Sequence, residues 1–146
     1  MIEKSILLRC SSDEAFQLFT ARISEWWPKT HRLTKDPESE LFLESTGRFW
    51  ERSRDGREIE LGRVSAWEPP HRLALDFYIG TNVAQPTALE VTFTSENEGT
   101  RVTIHHRAKP ESEDLWTLRA PVFERSWEAV LASLGDAVTA MLPWRP

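Results

Sequence analysis

Apolar residues recur at helical spacing through residues 118–142. Phe123, Trp127, Val130, Leu131, Leu134, Val138, Met141 and Leu142 fall on one side at about 100° per residue, with Arg125, Glu128, Ala132, Asp136 and Thr139 opposite. The spacing predicts one long amphipathic helix. Pro121 suits its first turn, where a missing N–H is not needed, and Pro143 stops it. At the standard rise such a helix is about 30–36 Å long, enough to cross a small domain. A stripe with two large aromatics needs an equally large cover.

Upstream the period changes. Residues 2–10 read as a strand with Ile6, Leu8 and Cys10 on one face. Ser11 and Glu14 have capping-box spacing, and Ala15, Phe16, Phe19 and Ile23 make the stripe of a helix that ends around Trp26-Trp27-Pro28. Residues 30–39 are polar, contain Pro37 and read as a loop. From 40 to 107, period-two alternation and turn signals predict six strands: 41–45, 48–53, 58–67, 73–78, 89–94 and 101–106. Asp55-Gly56 is a hairpin signal, Gly62 marks a bulge or bend, and Pro69-Pro70 breaks the third of these strands. Residues 80–86 read as a loop, 97–99 as a turn and 109–114 as a charged connector, with a short helical turn over 115–119. Successive hairpins build an antiparallel sheet with one dry face. The order implies a single α+β domain over 1–146.

Composition narrows the function. A chain of 146 residues can bury one sizeable core, and 40% hydrophobic with 28% charged residues excludes a disordered chain. A net charge of −5 argues against a nucleic-acid or anionic-membrane binder. The arginines from Arg48 to Arg63 are diluted by Glu51, Asp55, Glu58 and Glu60 and read as a solvated face. The lone Cys10, a first stretch without a signal-peptide pattern and the lack of any apolar run near 18 residues predict a cytoplasmic protein with no membrane span. Seven tryptophans fit either bulky packing or a ligand-facing wall.

No nucleotide signature occurs, and no cofactor is expected. No metal site is expected either: the adjacent His105 and His106 point to opposite faces of a strand, and His31 and His71 lie in loop-like stretches. His106 shares a face with Val102 and Ile104 and points inward. There it can orient a ligand or move a proton, or be satisfied by a backbone carbonyl. Glu51 shares a face with Phe49, where a carboxylate is costly unless paired. It either joins His106 or Tyr78 in a polar patch or bonds Arg52 or Arg63 at a rim.

The run Gly62-Arg63-Val64-Ser65-Ala66-Trp67-Glu68-Pro69-Pro70-His71-Arg72-Leu73 resembles the G-x-V-x-x-x-x-P-P-x-R-L signature of the START-like (SRPBCC) superfamily. More narrowly the chain is similar to the group named after activators of the heat-shock chaperone ATPase. Residues 47–51, the run Gly99-Thr100-Arg101-Val102-Thr103-Ile104 leading to His106, and residues 127–134 carry that likeness. Thr46-Gly47 departs from the glycine pair frequent in the group. The resemblance implies a helix-grip, Bet v 1-like fold: a curved antiparallel sheet clasping the C-terminal helix, with two small helices closing one end. It also implies a cavity between sheet and helix. Members of the superfamily bind lipids, polyketides and other apolar molecules there, some catalyse reactions, and some bind a chaperone.

The expected function is a binding module for a small apolar or aromatic, lipid- or polyketide-like ligand. Phe49, Leu75, Phe77, Phe93, Phe123, Trp127 and Leu131 are the candidate pocket wall, with Glu51 and His106 as polar handles. One alternative is a cyclase- or hydratase-like enzyme using Glu51 and His106 as acid and base. Another is an interaction module or homodimer with an apolar patch around Trp26-Trp27 or Trp144.

Overall fold

The computed structural model describes residues 1–141. Its strands are β1 (Ile2–Leu8), β2 (Glu40–Leu43), β3 (Arg48–Arg52), β4 (Glu58–Glu68), β5 (Arg72–Asn82), β6 (Gln85–Glu96) and β7 (Gly99–Ala108). They form one antiparallel sheet in the order β1-β7-β6-β5-β4-β3-β2, curled into a half-barrel. Alternation sets its dry face. Leu75 pairs with Leu89, Leu89 with His106, and His106 with Ile2, and all four side chains are buried. The expected irregularity at Gly62 is a bulge: Phe49 pairs with Gly62 but Trp50 with Glu60, so Leu61 is unopposed.

The long helix α3 (Glu113–Met141) lies across that face and buries Phe123, Trp127, Val130, Leu131, Leu134 and Val138. Each such side chain contributes about 1.5–3 kcal/mol. The helix starts earlier than the apolar stripe predicts. Glu113 and Asp114 fill its first turn, where carboxylates favour the helix dipole, and its 29 residues span about 43 Å. Pro121 therefore sits inside the helix, not in its first turn. It faces solvent and leaves the Thr117 carbonyl without an intrahelical donor. The side chain of Met141, together with Leu142, Pro143 and Trp144, lies outside the described residues.

Two short helices close one end. α1 (Ser12–Phe19) carries the expected capping box: Glu14 N donates to Ser11 Oγ at 3.2 Å, and Ser11 N to Glu14 Oε1 at 3.0 Å. The predicted single helix is interrupted after Phe19 and resumes as α2 (Ile23–Trp26). At the break the Thr20 hydroxyl donates to the Phe16 carbonyl at 2.7 Å, a local bond that competes with helix continuation. The predicted loop 80–86 is also revised. β5 continues to Asn82, whose Oδ1 accepts from Ala84 N and Gln85 N at 3.0 Å each, so only two residues turn the chain. The β5–β6 ladder is nevertheless broken between Phe77 and Asn82, which frees Ile79 and Gly80 to bend towards α3.

Candidate functional site

Three segments converge at that break. They are the end of β5, the middle of α3 and the loop that follows α2. Between them lies a cleft of about 360 Å³. Phe77, Ile79 and Gly80 line it from the sheet, and Arg119, Val122, Phe123, Ser126, Trp127 and Val130 from α3. Trp27, Thr30, His31 and Leu33 line it from the loop. Val122 and Leu33 stand at its mouth, 40% and 37% exposed. Its volume falls in the lower part of the usual range for small-molecule sites.

Gly80 allows α3 to come this close. Its φ is +84°, and a Cβ there would stand 2.5 Å from Phe123 Cε1. Its carbonyl accepts from Arg119 Nε at 2.6 Å, tying helix to strand. About two turns further along α3, the Trp127 indole N–H donates to His106 Nδ1 at 3.0 Å. That bond requires the other ring nitrogen to carry the proton. His106 Nε2 thus donates to Thr87 Oγ1 at 2.7 Å, and the Thr87 hydroxyl to the Phe77 carbonyl at 3.3 Å. The ring is fully buried between Phe77, Trp116, Phe123 and Trp127, and burial pushes its pKa down to about 3. His106 is therefore neutral near pH 7, with both nitrogens engaged. It holds Trp127 and Phe123 in the cleft wall without lining the cleft itself.

Glu51 is buried, and its carboxylate faces the loop. Oε1 accepts from Leu33 N at 2.9 Å, and Oε2 from Thr34 N at 3.0 Å and Thr34 Oγ1 at 2.5 Å. It reaches neither a polar patch with His106 or Tyr78 nor the Arg52 or Arg63 pairing that its strand position allowed. Beside it, the buried Arg32 donates to the carbonyls of Ser39 (2.5 Å), Ser24 (2.9 Å) and Trp27 (2.9 Å). Desolvation pushes the Arg32 pKa down, with Glu51 chief among the acids opposing it. These two charges fix the loop that carries Thr30, His31 and Leu33.

Of the nine expected site residues, Phe77, Phe123 and Trp127 line the cleft. Phe49 and Leu75 instead border a void of about 10 Å³ deeper between sheet and helix, room for a single water at most. Phe93 packs on Phe16 and Phe19 of α1, and Leu131 is buried core. The open space thus lies against the end of β5, not over the middle of the sheet. Trp26 and Trp27 are each only 4% exposed and form no surface patch, because α2 is sandwiched between β2 and α3. Trp26 Nε1 donates to the Leu18 carbonyl at 2.7 Å, whereas the buried Trp27 N–H has no hydrogen-bond partner. Ten other lining residues were not among the nine, Arg119, Val122, Ser126, His31 and Gly80 included. Burial lowers the His31 pKa. Arg119 did carry a signal, standing four and eight residues before Phe123 and Trp127 on one helix face. Among the described residues no cluster of three or more His, Cys, Asp or Glu is placed to hold a metal ion, and no helix is long and apolar enough to cross a membrane.

The family model for the activator of Hsp90 ATPase homolog 1-like protein matches residues 9–139. No curated protein matches the chain by sequence. Among solved structures, CalC, a self-sacrificing resistance protein from Micromonospora echinospora, is 20% identical over 99% of this chain and 97% of its own, with a TM-score of 0.73. Protein NE0264 from Nitrosomonas europaea is 14% identical over 96% of this chain and 94% of its own, at 0.68. The AHSA1-like protein from Aeromonas hydrophila is 17% identical over 96% and 92%, at 0.62. Identities this low establish a shared fold and nothing finer. With the family match spanning β7, α3 and most of the sheet, the chain belongs to the activator of Hsp90 ATPase homolog 1-like family, with the helix-grip fold of the SRPBCC superfamily.

Proposed function

We propose that this chain is a binding module that takes one small, ring-bearing apolar molecule in the cleft between β5, α3 and the loop after α2. The observation that carries the reading is the cleft itself: about 360 Å³, walled chiefly by apolar and aromatic side chains. A second support is that the wall is held in advance. His106 orients Trp127, and Glu51 with Arg32 fixes the loop, so little ordering entropy opposes a guest. The acid–base alternative has less to stand on. The Glu51 carboxylate is committed to the loop, and a histidine held at about 3 is poorly matched to proton transfer near neutrality.

N-phenyl-1-naphthylamine, a neutral probe that brightens on leaving water, tests the reading. The folded parent should bind it, with tryptophan emission changing as it does. Ser126 is small, half-buried and in the cleft wall. Ser126→Phe should fill the cleft and abolish binding while melting within a few degrees of the parent. A parent that does not bind the probe, or a folded Ser126→Phe that still binds it, would sink the proposal.

A further inference from the structure

The wall that α3 contributes is polarised along its length. Trp127 and Val130 are buried at one end, Val122 is exposed, and Arg119 stands half-buried at the other. From Arg119 to Val130 the helix advances about 16 Å. Arg119 spends its Nε on the Gly80 carbonyl, which fixes the guanidinium plane. Among the described residues no carboxylate pairs with it, although the chain carries 23 acids against 18 arginines and lysines. The cleft wall contains no Asp or Glu at all. The outer hollows of the molecule do: Glu25 and Asp136 beside α2, Asp36 and Asp55 beside the β3–β4 turn, and Asp136 again beside β1. In an acidic protein, this cleft alone among those hollows offers a cation and no anion.

We infer that the guest is an amphipathic anion, its aromatic body lying against Phe77, Phe123 and Trp127 and its acid group meeting the free guanidinium nitrogens of Arg119. This rests on the cleft being a binding site, and adds the chemical class of what it binds. A carboxylate or sulfonate suits a guanidinium whose plane is already set, because two parallel N–H groups can meet two oxygens. Ser126, on the same helix face two turns on, supplies a neutral hydroxyl between the charged and apolar ends.

Two probes with one body separate this inference from the reading beneath it. 8-Anilinonaphthalene-1-sulfonate and N-phenyl-1-naphthylamine share the anilinonaphthalene rings and differ by the sulfonate. At neutral pH the parent should bind the sulfonate about tenfold more tightly, the scale of one charge-assisted hydrogen bond at a partly exposed site. Arg119→Gln should bind the two probes with equal affinity, whatever it does to the neutral one, and Arg119→Lys should retain most of the preference. Should Arg119→Gln fail to fold, a salt series on the parent gives the same answer. Raising ionic strength from about 0.01 M to about 1 M should weaken the sulfonate and leave the neutral probe unchanged. A parent that takes the neutral probe as tightly as the anion, a folded Arg119→Gln that keeps the preference, or a salt-independent sulfonate affinity overturns the inference while leaving the cleft reading intact. Binding of neither probe overturns both.

Discussion

Gly80→Ala measures how closely α3 docks on β5. A Cβ at this position would stand 2.5 Å from Phe123 Cε1 and 2.9 Å from Cζ, well inside van der Waals contact. The backbone there has φ +84°, a conformation that L side chains resist by about 1–2 kcal/mol. Gly56 has φ +91° and nothing within 4 Å of its would-be Cβ, so Gly56→Ala carries the backbone strain alone. Reduced freedom of the unfolded chain offsets about 0.4–1 kcal/mol of that strain in both variants. Gly56→Ala should therefore cost about 0.5–1 kcal/mol. At Gly80 the Phe123 ring must also move, which adds about 1–3 kcal/mol. That ring has His106 at 4.5 Å and Trp116 at 5.7 Å between centroids, so its open direction is the cleft. Urea denaturation of both variants, read against the parent, isolates the steric part by difference. Gly80→Ala should fall about 1–3 kcal/mol below Gly56→Ala with an unchanged slope, and should bind the neutral naphthylamine probe more weakly. A Gly80→Ala protein as stable as Gly56→Ala would refute the close docking of Phe123 on which the cleft wall depends.

Glu51→Gln should lower stability by about 2–3 kcal/mol in the same assay, because its amide cannot accept from both backbone donors and the Thr34 hydroxyl; a loss under about 0.5 kcal/mol would mean that the carboxylate does not hold the loop. His106 gives a pH signature. Its folded pKa of about 3 lies below the ordinary histidine value, so between the two the unfolded chain binds the extra proton. Its contribution is complete above about pH 6.5 and lost as pH falls towards 3, at about 1.4 kcal/mol per pH unit within the window. The stability gap between the parent and His106→Asn should narrow steadily from about pH 6.5 to about pH 4, and a gap that ignores pH would refute the buried neutral ring.

The sheet and the long helix were legible because their side-chain periods are set locally. Leu73, Leu75 and Phe77 alternate, Phe123, Trp127 and Leu131 recur by turns, and both sets are buried as their spacing requires. The location of the open space was not. Phe49, Leu75, Phe77 and Phe93 share one pattern, yet only Phe77 borders the cleft, because a void depends on where opposing side chains stop touching. The Glu51 clamp was hidden for another reason. Its partners lie in a polar loop whose path is fixed by a buried arginine, and a charged residue in a loop reads from sequence as solvated. The start of α3 was misplaced because the charged Glu113 and Asp114 read as connector, and because the short turn over 115–119 is continuous with the long helix. Pro121, read as a first-turn residue, is tolerated inside because it faces solvent.

The position of β1 governs the order in which this molecule can assemble. From β2 to β7 every strand pairs with its neighbour in sequence, so those hairpins close over short loops. β1 alone must wait for β7, pairing Ile2 with His106 and Leu8 with Thr100. Within this sheet β1 is made before the other strands, and its partner β7 is made after them. Until β7 follows, Ile2 and Leu8 have no sheet to cover them, and a bare strand edge is available to any other chain. The rate of folding is thereby tied to one long closure, and α3 completes it: Lys4 of β1 meets Glu128 of the helix at 2.9 Å. His106 sits on that same β7, and Trp127 comes after it in the chain, so the bond that sets the cleft wall also waits for β7.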